Sequence, residues 1–391
     1  MELVPPCSRL IIFDEHMRSL FVTAKSIVKA LIEVILRWTT PSLALNLFVI
    51  PRFTSGRVPT VYSDWCRERQ REVLQRRVDR SIDKVWFGPF GGEVGYELLY
   101  WRGFVNALCR NMELPSSRIG IISRGHTGGW YGPADLEYRD LFDLVPEGQV
   151  AAMCSDLYPI SFTHKEQTVV RNVGGRRTLW VHPRMMHQAI SQFRSGGAPL
   201  ESMDGVIDHV SIDTSAILSG SEDLASAWEK VQRMLPTNYV AAKVYSGSNM
   251  NDETSLTELT ARIGRISQQI PVVSLSNPTK LDNHVDWNSG IRSALTPLEG
   301  ITPRLNLGLQ ALVIAHAAGF VGTYGGFSYL GIYLRIPTIT FKDGGTRQKR
   351  AHEIMEEHAT GLLGTRYEIV DMSTQKWSER IEEFVGRLSD K

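Results

Sequence analysis

The residues best suited to bind a phosphate group lie in the glycine-rich segment 319–330, with the sequence GFVGTYGGFSYL. Its pattern predicts a strand that ends in a turn, followed by a helix. The glycine and hydroxyl positions of this turn are Gly322, Thr323, Gly325, Gly326 and Ser328. Backbone N–H groups at a helix start bind anions when no side chain blocks them, and hydroxyl groups add donors. We predict that the turn binds a diphosphate; the alternative is a tight turn that needs glycine only for its backbone.

Two cations lie in positions where an anionic ligand would explain them. Lys243 interrupts the apolar run 239–245, and burying a lysine is costly unless it meets an anion. Arg304 follows Pro303 in the first turn of a predicted helix, where the helix dipole disfavours a cation. We predict that both contact the diphosphate. The alternatives are an edge-strand lysine that reaches solvent, and an arginine that pairs with a carboxylate such as Glu299.

A second glycine-rich segment, residues 86–97 (WFGPFGGEVGYE), carries carboxylates after another predicted strand. Glu93 lies at the tip of this loop, between Gly92 and Gly95. A carboxylate at the carboxyl edge of a sheet is placed to take a proton from an acceptor hydroxyl, so Glu93 is the predicted catalytic base. Glu97 has a simpler explanation, because acidic residues stabilise helix N-termini.

Polar and aromatic residues also follow the next predicted strand, in the segment 123–131 (SRGHTGGWY). We predict that Arg124 binds an anionic group of the acceptor, and that Trp130 and Tyr131 stack on its sugar ring. His126 is a second catalytic candidate, as an acid or base, although a hydrogen-bonded structural histidine is the commoner case. Residues at the end of a further strand are predicted to line the same cleft: Trp180, His182 and Arg184.

Several other chemistries lack their motifs. The chain has no Asp-x-Asp and no H-E-x-x-H pattern, so no metal site is predicted. The glycine-rich turn matches neither the Walker A loop nor G-x-G-x-x-G, which disfavours ATP hydrolysis and nicotinamide binding. A nucleophile elbow, G-x-S-x-G, is also lacking. Lys243, Arg304 and backbone amides would therefore have to stabilise the charge of a diphosphate leaving group.

The elements that position these residues alternate between short apolar strands and helices, which predicts parallel sheets with crossover helices. The first series runs through residues 84–193, with 135–144 as a helical region, and the second through 239–341. The glycine-containing stretch 195–236 separates them as a junction. The predicted fold class is α/β, with two Rossmann-like domains that face each other across a cleft. The predicted domains are an extension, residues 1–80; an acceptor domain, 81–215; and a nucleotide-sugar domain, 216–391.

The N-terminal extension is predicted to begin with an amphipathic helix. Apolar residues recur at three- and four-residue steps through 17–38, and an apolar run follows at 43–50. Residues 1–80 carry 13 Lys and Arg against 8 Asp and Glu. A basic amphipathic helix suits an anchor on an anionic membrane surface, which would involve residues 17–50. Packing of the helix on the domain behind it is the other interpretation.

Composition sets the remaining limits. The chain has 391 residues, a formal net charge of +1, 42% hydrophobic and 22% charged residues, which is typical of a globular protein with sizeable cores. Nothing in this balance indicates a nucleic-acid partner. The four cysteines form no C-x-x-C pair, and no long apolar span or secretory signal is present. These features predict a cytoplasmic protein, peripheral at the cytoplasmic membrane face if the N-terminal helix is an anchor.

The two glycine-rich motifs carry a family resemblance. GPFGGEVGYELLYW, residues 88–101, and GTYGGFSYL, residues 322–330, resemble bacterial surface-polysaccharide glycosyltransferases of GT-B type. The C-terminal half is more distantly similar to the lipopolysaccharide heptosyltransferases, and the resemblance covers about residues 84–345. It implies a nucleotide-sugar donor in the C-terminal domain, a glycan or lipid-linked acceptor in the N-terminal one, and no metal.

The heptosyltransferase pattern places an acidic base in the first glycine-rich loop, which corresponds to Glu93, and a lysine after the first strand of the second domain, which Lys243 matches approximately. Its Asp-Thr-Gly phosphate loop is replaced here by residues 322–325, so the donor's identity does not transfer.

The sequence therefore predicts metal-independent transfer of a sugar from a nucleoside diphosphate sugar, with this co-substrate and no resident cofactor. Two alternatives stay open. A nucleotide-sugar 2-epimerase shares the two-domain architecture and needs acid and base residues in the same cleft. A non-catalytic glycan-binding protein would keep the fold without the donor site.

Overall fold

The computed structural model describes residues 82–132, 136–154, 164–173, 178–190, 205–247, 250–275, 285–287, 291, 294–298, 300–343, 350–374 and 376–389. All of them lie in one compact unit, Thr60–Lys391. The predicted N-terminal helix, its apolar continuation and Glu299 lie outside the described residues. The membrane-anchor hypothesis and the domain boundaries therefore stay predictions.

The N-terminal half contains a parallel sheet of four strands in the order β3-β2-β1-β4. The strands are β1 (Lys84–Phe87), β2 (Ile119–Ser123), β3 (Glu137–Asp140) and β4 (Thr178–Val181). The first helix, α1, is helical at Val94–Tyr96, π-helical at Glu97–Trp101 and α-helical again at Arg102–Asn111. The others are α2 (Leu141–Leu144), α3 (Glu147–Cys154), α4 (His164–Val173) and α5 (Pro183–Ala189), with 3-10 turns at Ser116–Arg118 and Gly128–Trp130.

The C-terminal half contains a parallel sheet of five strands in the order β11-β10-β9-β5-β7. They are β5 (Val240–Lys243), β7 (Val272–Ser274), β9 (Gly319–Thr323), β10 (Thr338–Lys342) and β11 (Tyr367–Asp371). Two short strands, β6 (Tyr245–Ser246) and β8 (Val285–Asp286), pair antiparallel beside it. The helices are α6 (Thr214–Ser219), α7 (Glu222–Met234), α8 (Glu253–Ile266), α9 (Pro303–Ala315), α10 (Gly326–Leu334), α11 (Arg350–Leu363) and α12 (Trp377–Ser389).

The two parallel sheets confirm the predicted α/β class with two Rossmann-like halves. Helices cover both faces of such sheets, so their strands are apolar throughout; every residue of β9 is buried. One local prediction was wrong. The region 135–144 is not simply helical, because residues 137–140 pair with β2 as an edge strand before α2 begins. The predicted junction, 195–236, contains the helices α6 and α7, and its role as a domain boundary stays a prediction.

One buried apolar core runs through both halves, from Val85 and Phe87 in the first sheet to Ala241 and Phe320 in the second. A smaller core covers the opposite face of the second sheet. Backbone hydrogen bonds also join the halves: Gly308 N–H donates to the Gly125 carbonyl across 2.8 Å. Gly95, which follows β1, also contacts Gly326, which follows β9, so the carboxyl edges of the two sheets face each other.

Candidate functional site

Topology identifies one point in each sheet where a ligand crevice is expected. In an open α/β sheet, ligands bind outside the carboxyl ends of the strands, where the strand order reverses. The first switch point lies between β1 and β4, because β2 and β3 lie on one side of β1 and β4 lies on the other. The second switch point lies between β5 and β9, because β7 lies on one side of β5 and β9 to β11 lie on the other.

The second of these points carries the predicted phosphate-binding residues. β5 ends at Lys243 and β9 ends at Thr323, and Lys243 is in register with Gly322. The hydroxyl oxygen of Thr323 accepts from the Tyr245 N–H across 3.3 Å, which joins the two strand ends. Helix α10 then begins directly after Gly325. The fold thus brings the lysine and the glycine-rich turn, residues 322–328, to one sheet edge.

Hydrogen bonds inside the turn engage the Gly325 N–H and the Ser328 hydroxyl. The hydrogen-bond donors left for an anion are therefore backbone N–H groups at the start of α10. Gly325 N–H donates to Ser328 Oγ across 3.2 Å, and Ser328 Oγ donates back to the Gly325 carbonyl across 2.7 Å. Ser328 also contacts the Tyr367 hydroxyl. The Ser328 hydroxyl therefore closes the turn. The N–H groups of Gly326 and Phe327 lie in the first helical turn, where they have no acceptor within the helix.

Lys243 lies on a central strand and is 5% exposed, so it is not an edge-strand lysine that reaches solvent. Its Nζ donates to Asp286 Oδ2 across 2.8 Å and to the Leu275 carbonyl across 2.9 Å. The ammonium also lies 5.0 Å from the centre of the Phe327 ring, in the first turn of α10. The anion that the buried lysine requires is, in this structure, a carboxylate of the chain itself.

Arg304 pairs with a carboxylate of the opposite half. Its Nη2 lies 3.0 Å from Asp143 Oδ1, and both side chains are about two-fifths exposed. Since Asp143 belongs to α2 and Arg304 to α9, the pair joins the two halves. The role of Arg304 toward a diphosphate stays a prediction.

The loop that carries Glu93, residues 88–93, follows β1 at the first switch point. Gly88 has a φ of 122°, and a Cβ there would lie 2.4 Å from the Ile122 carbonyl oxygen, so only glycine fits. Glu93 is half-buried and is the N-cap residue of α1. Two residues further, Gly95 touches the opposite half: a Cβ on Gly326 would lie only 2.7 Å from Gly95 N. The Glu93 loop and the glycine-rich turn therefore meet directly.

A buried network beneath this loop uses Glu97, Arg124 and Tyr131. Glu97 is 0% exposed; it accepts from Arg124 Nη1 across 2.8 Å, from Ser123 Oγ across 2.5 Å and from the Tyr131 hydroxyl. Arg124 Nη2 donates to the Gly92 carbonyl, next to Glu93. Burial acts to lower the pKa of Arg124, but the Glu97 carboxylate outweighs it and the pKa is raised. Arg124 therefore stays charged at every physiological pH.

This network changes how the predicted acceptor residues are interpreted. Arg124, Trp130 and Tyr131 are each 3% exposed or less, and the polar groups of Arg124 and Tyr131 already hold Glu97. In the described arrangement Arg124 holds the Gly92 carbonyl of the Glu93 loop and Tyr131 holds Glu97, while Trp130 is fully buried. Their contact with an acceptor stays a prediction that needs the loop to rearrange.

His126 has a strained backbone, with a φ of 59°, and its N–H donates to Asp140 Oδ2 across 2.8 Å. Burial lowers its pKa; Asp140 opposes this change and Arg304 adds to it. Its Nε2 has no hydrogen-bond partner among the described residues, and the side chain lines a cavity of about 30 Å³ beside Tyr138. The lowered pKa favours the neutral imidazole, whose Nε2 could act as a hydrogen-bond donor or acceptor toward a group in this cavity. The catalytic role of His126 stays a prediction.

The remaining predicted cleft residues end β4. His182 Nε2 lies 2.9 Å from Glu166 Oε1, and its Nδ1 accepts from the Arg184 N–H across 3.1 Å. Both ring nitrogens are thus engaged, and the imidazole fixes the turn from β4 into α5. Trp180 stacks on Trp86 within the first sheet, with 6.0 Å between ring centres.

Known glycosyltransferase structures are similar to this fold. The glycosyl transferase family 9 protein from Veillonella parvula DSM 2008 aligns with a TM-score of 0.43 and 10% identity, over 78% of this chain and 96% of that one. The ADP-heptose LPS heptosyltransferase II of E. coli aligns with a TM-score of 0.42 and 13% identity, over 78% and 98%. The dodecameric iron-containing glycosyltransferase TibC from enterotoxigenic E. coli H10407 aligns with 0.35 and 15%, over 66% and 57%. No protein-family model matches the sequence, and no curated protein does.

Two carboxylates near the second switch point were not predicted from the sequence. Asp286 pairs with Lys243 from 43 residues away. Glu356, on α11, is 2% exposed and accepts from the hydroxyl of Tyr324, in the glycine-rich turn. Asp286 lies in a short polar segment with no signal of its own. Glu356 carries a weak signal, because it interrupts an apolar helix face that includes Met355 and Ala359.

Among the described residues, no three His, Cys, Asp or Glu side chains come close enough together to hold a metal ion. None of the described helices is both long and apolar enough to cross a bilayer.

Proposed function

We propose that this protein transfers a sugar from a nucleoside diphosphate sugar to a hydroxyl group of a glycan or lipid-linked acceptor, without a metal ion. The observation that carries this proposal is the meeting of two loops at the facing carboxyl edges. One loop holds Glu93, and the other is the glycine-rich turn beside Lys243; Gly95 and Gly326 are in contact. This contact supports the proposal, because the predicted base and the predicted diphosphate-binding turn belong to the two segments that meet.

The diphosphate would bind at the start of α10. The N–H groups of Gly326 and Phe327 supply hydrogen bonds, and the aligned peptide dipoles place about half a positive charge at this end of the helix. Lys243 adds a full charge beside Phe327. Charge that develops on the departing diphosphate would be stabilised by groups that are already oriented, which is an efficient form of catalysis.

Glu93 would take the proton from the acceptor hydroxyl as that oxygen attacks the sugar. Direct displacement of the diphosphate then follows, with inversion at the anomeric carbon. Glu97 is unsuited to this role, because its carboxylate is buried and accepts from Ser123, Arg124 and Tyr131.

The glycine-rich turn is covered in this structure: Gly325, Gly326 and Ser328 are buried, and the start of α1 packs on Gly326. A diphosphate bound at this turn therefore needs α1 and α10 further apart than they are here. Closure of the two halves over the bound donor, short of this contact, would exclude water from the sugar, which matters because hydrolysis is the competing reaction. This arrangement makes closure a step of the proposed reaction.

The test uses the full-length chain with a panel of nucleoside diphosphate sugars. A thermal shift with one of them, and release of nucleoside diphosphate only when a glycan or lipid-linked acceptor is added, are the expected results. Release without an acceptor would contradict transfer, and sugar isomerisation without release would indicate an epimerase. A binding protein would show the shift and no turnover.

Glu93→Gln tests the base. We expect transfer to fall by about 10²- to 10⁴-fold with little change in donor binding, since general base catalysis typically contributes that much. The matched control is Glu258→Gln, an exposed residue in α8, which should keep full activity. Full transfer by the Glu93→Gln variant would remove Glu93 from the mechanism.

A further inference from the structure

The ion pair between Lys243 and Asp286 lies where the proposed diphosphate would bind. The lysine side chain is 6% exposed and the aspartate side chain 23% exposed. Asp286 is held on β8, which pairs with β6 immediately after β5, so the carboxylate lies over the end of the strand that carries Lys243. The same ammonium lies against the Phe327 ring at the start of α10. One cation therefore serves both an internal carboxylate and the proposed anion site.

A buried ammonium needs a counter-ion in every state of the protein. In the described contacts of Lys243, the Leu275 carbonyl is neutral and Asp286 supplies the negative charge. A bound diphosphate would bring two or more negative charges to the same ammonium. Asp286 would then lie among like charges, which disfavours keeping both anions on one lysine.

We propose that Asp286 is the counter-ion of Lys243 in the empty site, and that the diphosphate of the donor takes its place. This inference rests on the proposed function, because it assumes that the ligand is an anion bound beside α10. Asp286 then sets a threshold for binding: a ligand must carry enough negative charge to replace a carboxylate that is already in place. A diphosphate meets that requirement better than a neutral sugar or a monoanion, so the residue would contribute to donor selection.

Inorganic pyrophosphate, titrated into the full-length protein without metal and followed by calorimetry, tests the exchange. Asp286→Asn removes the competing charge, and we expect it to bind pyrophosphate roughly three- to tenfold more tightly, as for one partly screened charge a few ångströms away. Asp223→Asn, which removes one exposed negative charge on α7, is the matched control and should bind like the wild type. Unchanged or weaker binding by Asp286→Asn would overturn the exchange.

Lys243→Met makes the test specific to the pair. In that background there is no shared cation, so adding Asp286→Asn should produce a much smaller gain; an equal gain would show that Asp286 acts only through general repulsion and overturn the proposal. If no variant and no wild-type protein binds pyrophosphate or a nucleoside diphosphate sugar, the anion site itself is wrong and the proposed function fails with it. Wild-type binding with no gain in Asp286→Asn overturns the exchange alone.

A measurement on the wild type does not depend on how the variants fold. In crystals soaked with pyrophosphate, we expect Lys243 Nζ to leave Asp286 Oδ2, now 2.8 Å away, and to contact a phosphate oxygen. Bound pyrophosphate with the ion pair still intact would refute the exchange.

Discussion

At the scale of single residues, the Glu93 loop of the candidate site rests on a buried ion pair. Glu97 and Arg124 form a pair that is 0% and 4% exposed at the side chains, directly beneath the Glu93 loop. Such pairs contribute little net stability compared with apolar residues, but removing one partner leaves an uncompensated charge in the interior. Their value here is positional, since Arg124 also holds the Gly92 carbonyl next to Glu93.

Arg124→Met should lower the free energy of unfolding by about 3–5 kcal/mol, because the Glu97 carboxylate would lose its buried counter-ion. Urea denaturation measures this quantity. The control is Arg139→Met, whose pair with Glu137 is exposed by 56% and 36% and should be worth less than about 1 kcal/mol. Equal costs for the two variants would show that burial of the Glu97 pair has no energetic consequence.

At the scale of elements, the site depends on how closely two helix starts approach. The starts of α1 and α10 bring together two positive dipole ends, so an anion bound at either of them would be stabilised by both. Their present separation is possible only because Gly95 and Gly326 lack side chains.

Gly326→Ala should test this approach. Its Cβ would lie 2.7 Å from Gly95 N, so the two helix starts have to separate, at a cost of roughly 1–3 kcal/mol in the free energy of unfolding, as for overpacking elsewhere. We expect weaker closure and lower transfer activity. Gly386→Ala, at an exposed position of α12 with no atom within 4 Å of the added Cβ, should instead stabilise the protein by about 0.5–1 kcal/mol. A stable and fully active Gly326→Ala variant would refute the importance of this contact.

Elements were also what the sequence predicted best. The limits of β1 and β4 match the prediction residue for residue, because short apolar runs bounded by glycine or proline have few alternative structures. The strand at residues 137–140 was not predicted, because its sequence, EYRD, contains no apolar run. Its pairing with β2 decides its conformation. Helix α7 was missed although Ser221 caps it at Leu224 N–H, a local signal that was present in the sequence.

The candidate site was predicted less completely than the fold. The glycine-rich turn and Lys243 could be proposed from the sequence because each is a local anomaly in an apolar stretch. The partners of the cations were not found, since Asp143 is 161 residues from Arg304 and only the tertiary fold brings them together. The burial of Trp130 and Tyr131 could not be predicted from the sequence either, because an aromatic residue after a strand suits a core as well as a sugar site.

At the scale of the whole molecule, the halves are joined by a buried polar contact as well as by the shared core. Arg102 of α1 is 1% exposed, donates to the Ser211 carbonyl across 3.0 Å and lies 4.9 Å from the ring centre of Tyr333 in α10. Burial lowers its pKa to about 10, so it stays charged near neutral pH. His209, in the segment between the halves, contacts the Tyr333 hydroxyl through Nδ1 across 2.8 Å. The junction is therefore sensitive to a second positive charge.

His209 should make stability depend on pH. Burial, His358 and Arg102 lower its pKa to about 3, whereas an unfolded histidine has a pKa of about 6.5. Between these values the unfolded chain binds a proton that the folded protein does not, so the free energy of unfolding falls as the pH falls below about 6.5. The slope approaches about 1.4 kcal/mol per pH unit for this one group.

His209→Gln keeps a hydrogen-bonding group for Tyr333 and removes the titration. We expect its free energy of unfolding to lose about 2 kcal/mol less than that of the wild type between pH 7 and pH 5, as measured by urea denaturation at each pH. Other titrating groups are common to both proteins and cancel in the difference. If the two curves run parallel over this range, His209 is protonated in the folded protein and the junction tolerates its charge. Divergence by about 2 kcal/mol would show that protonation of His209, at the contact between the halves, is what costs this stability.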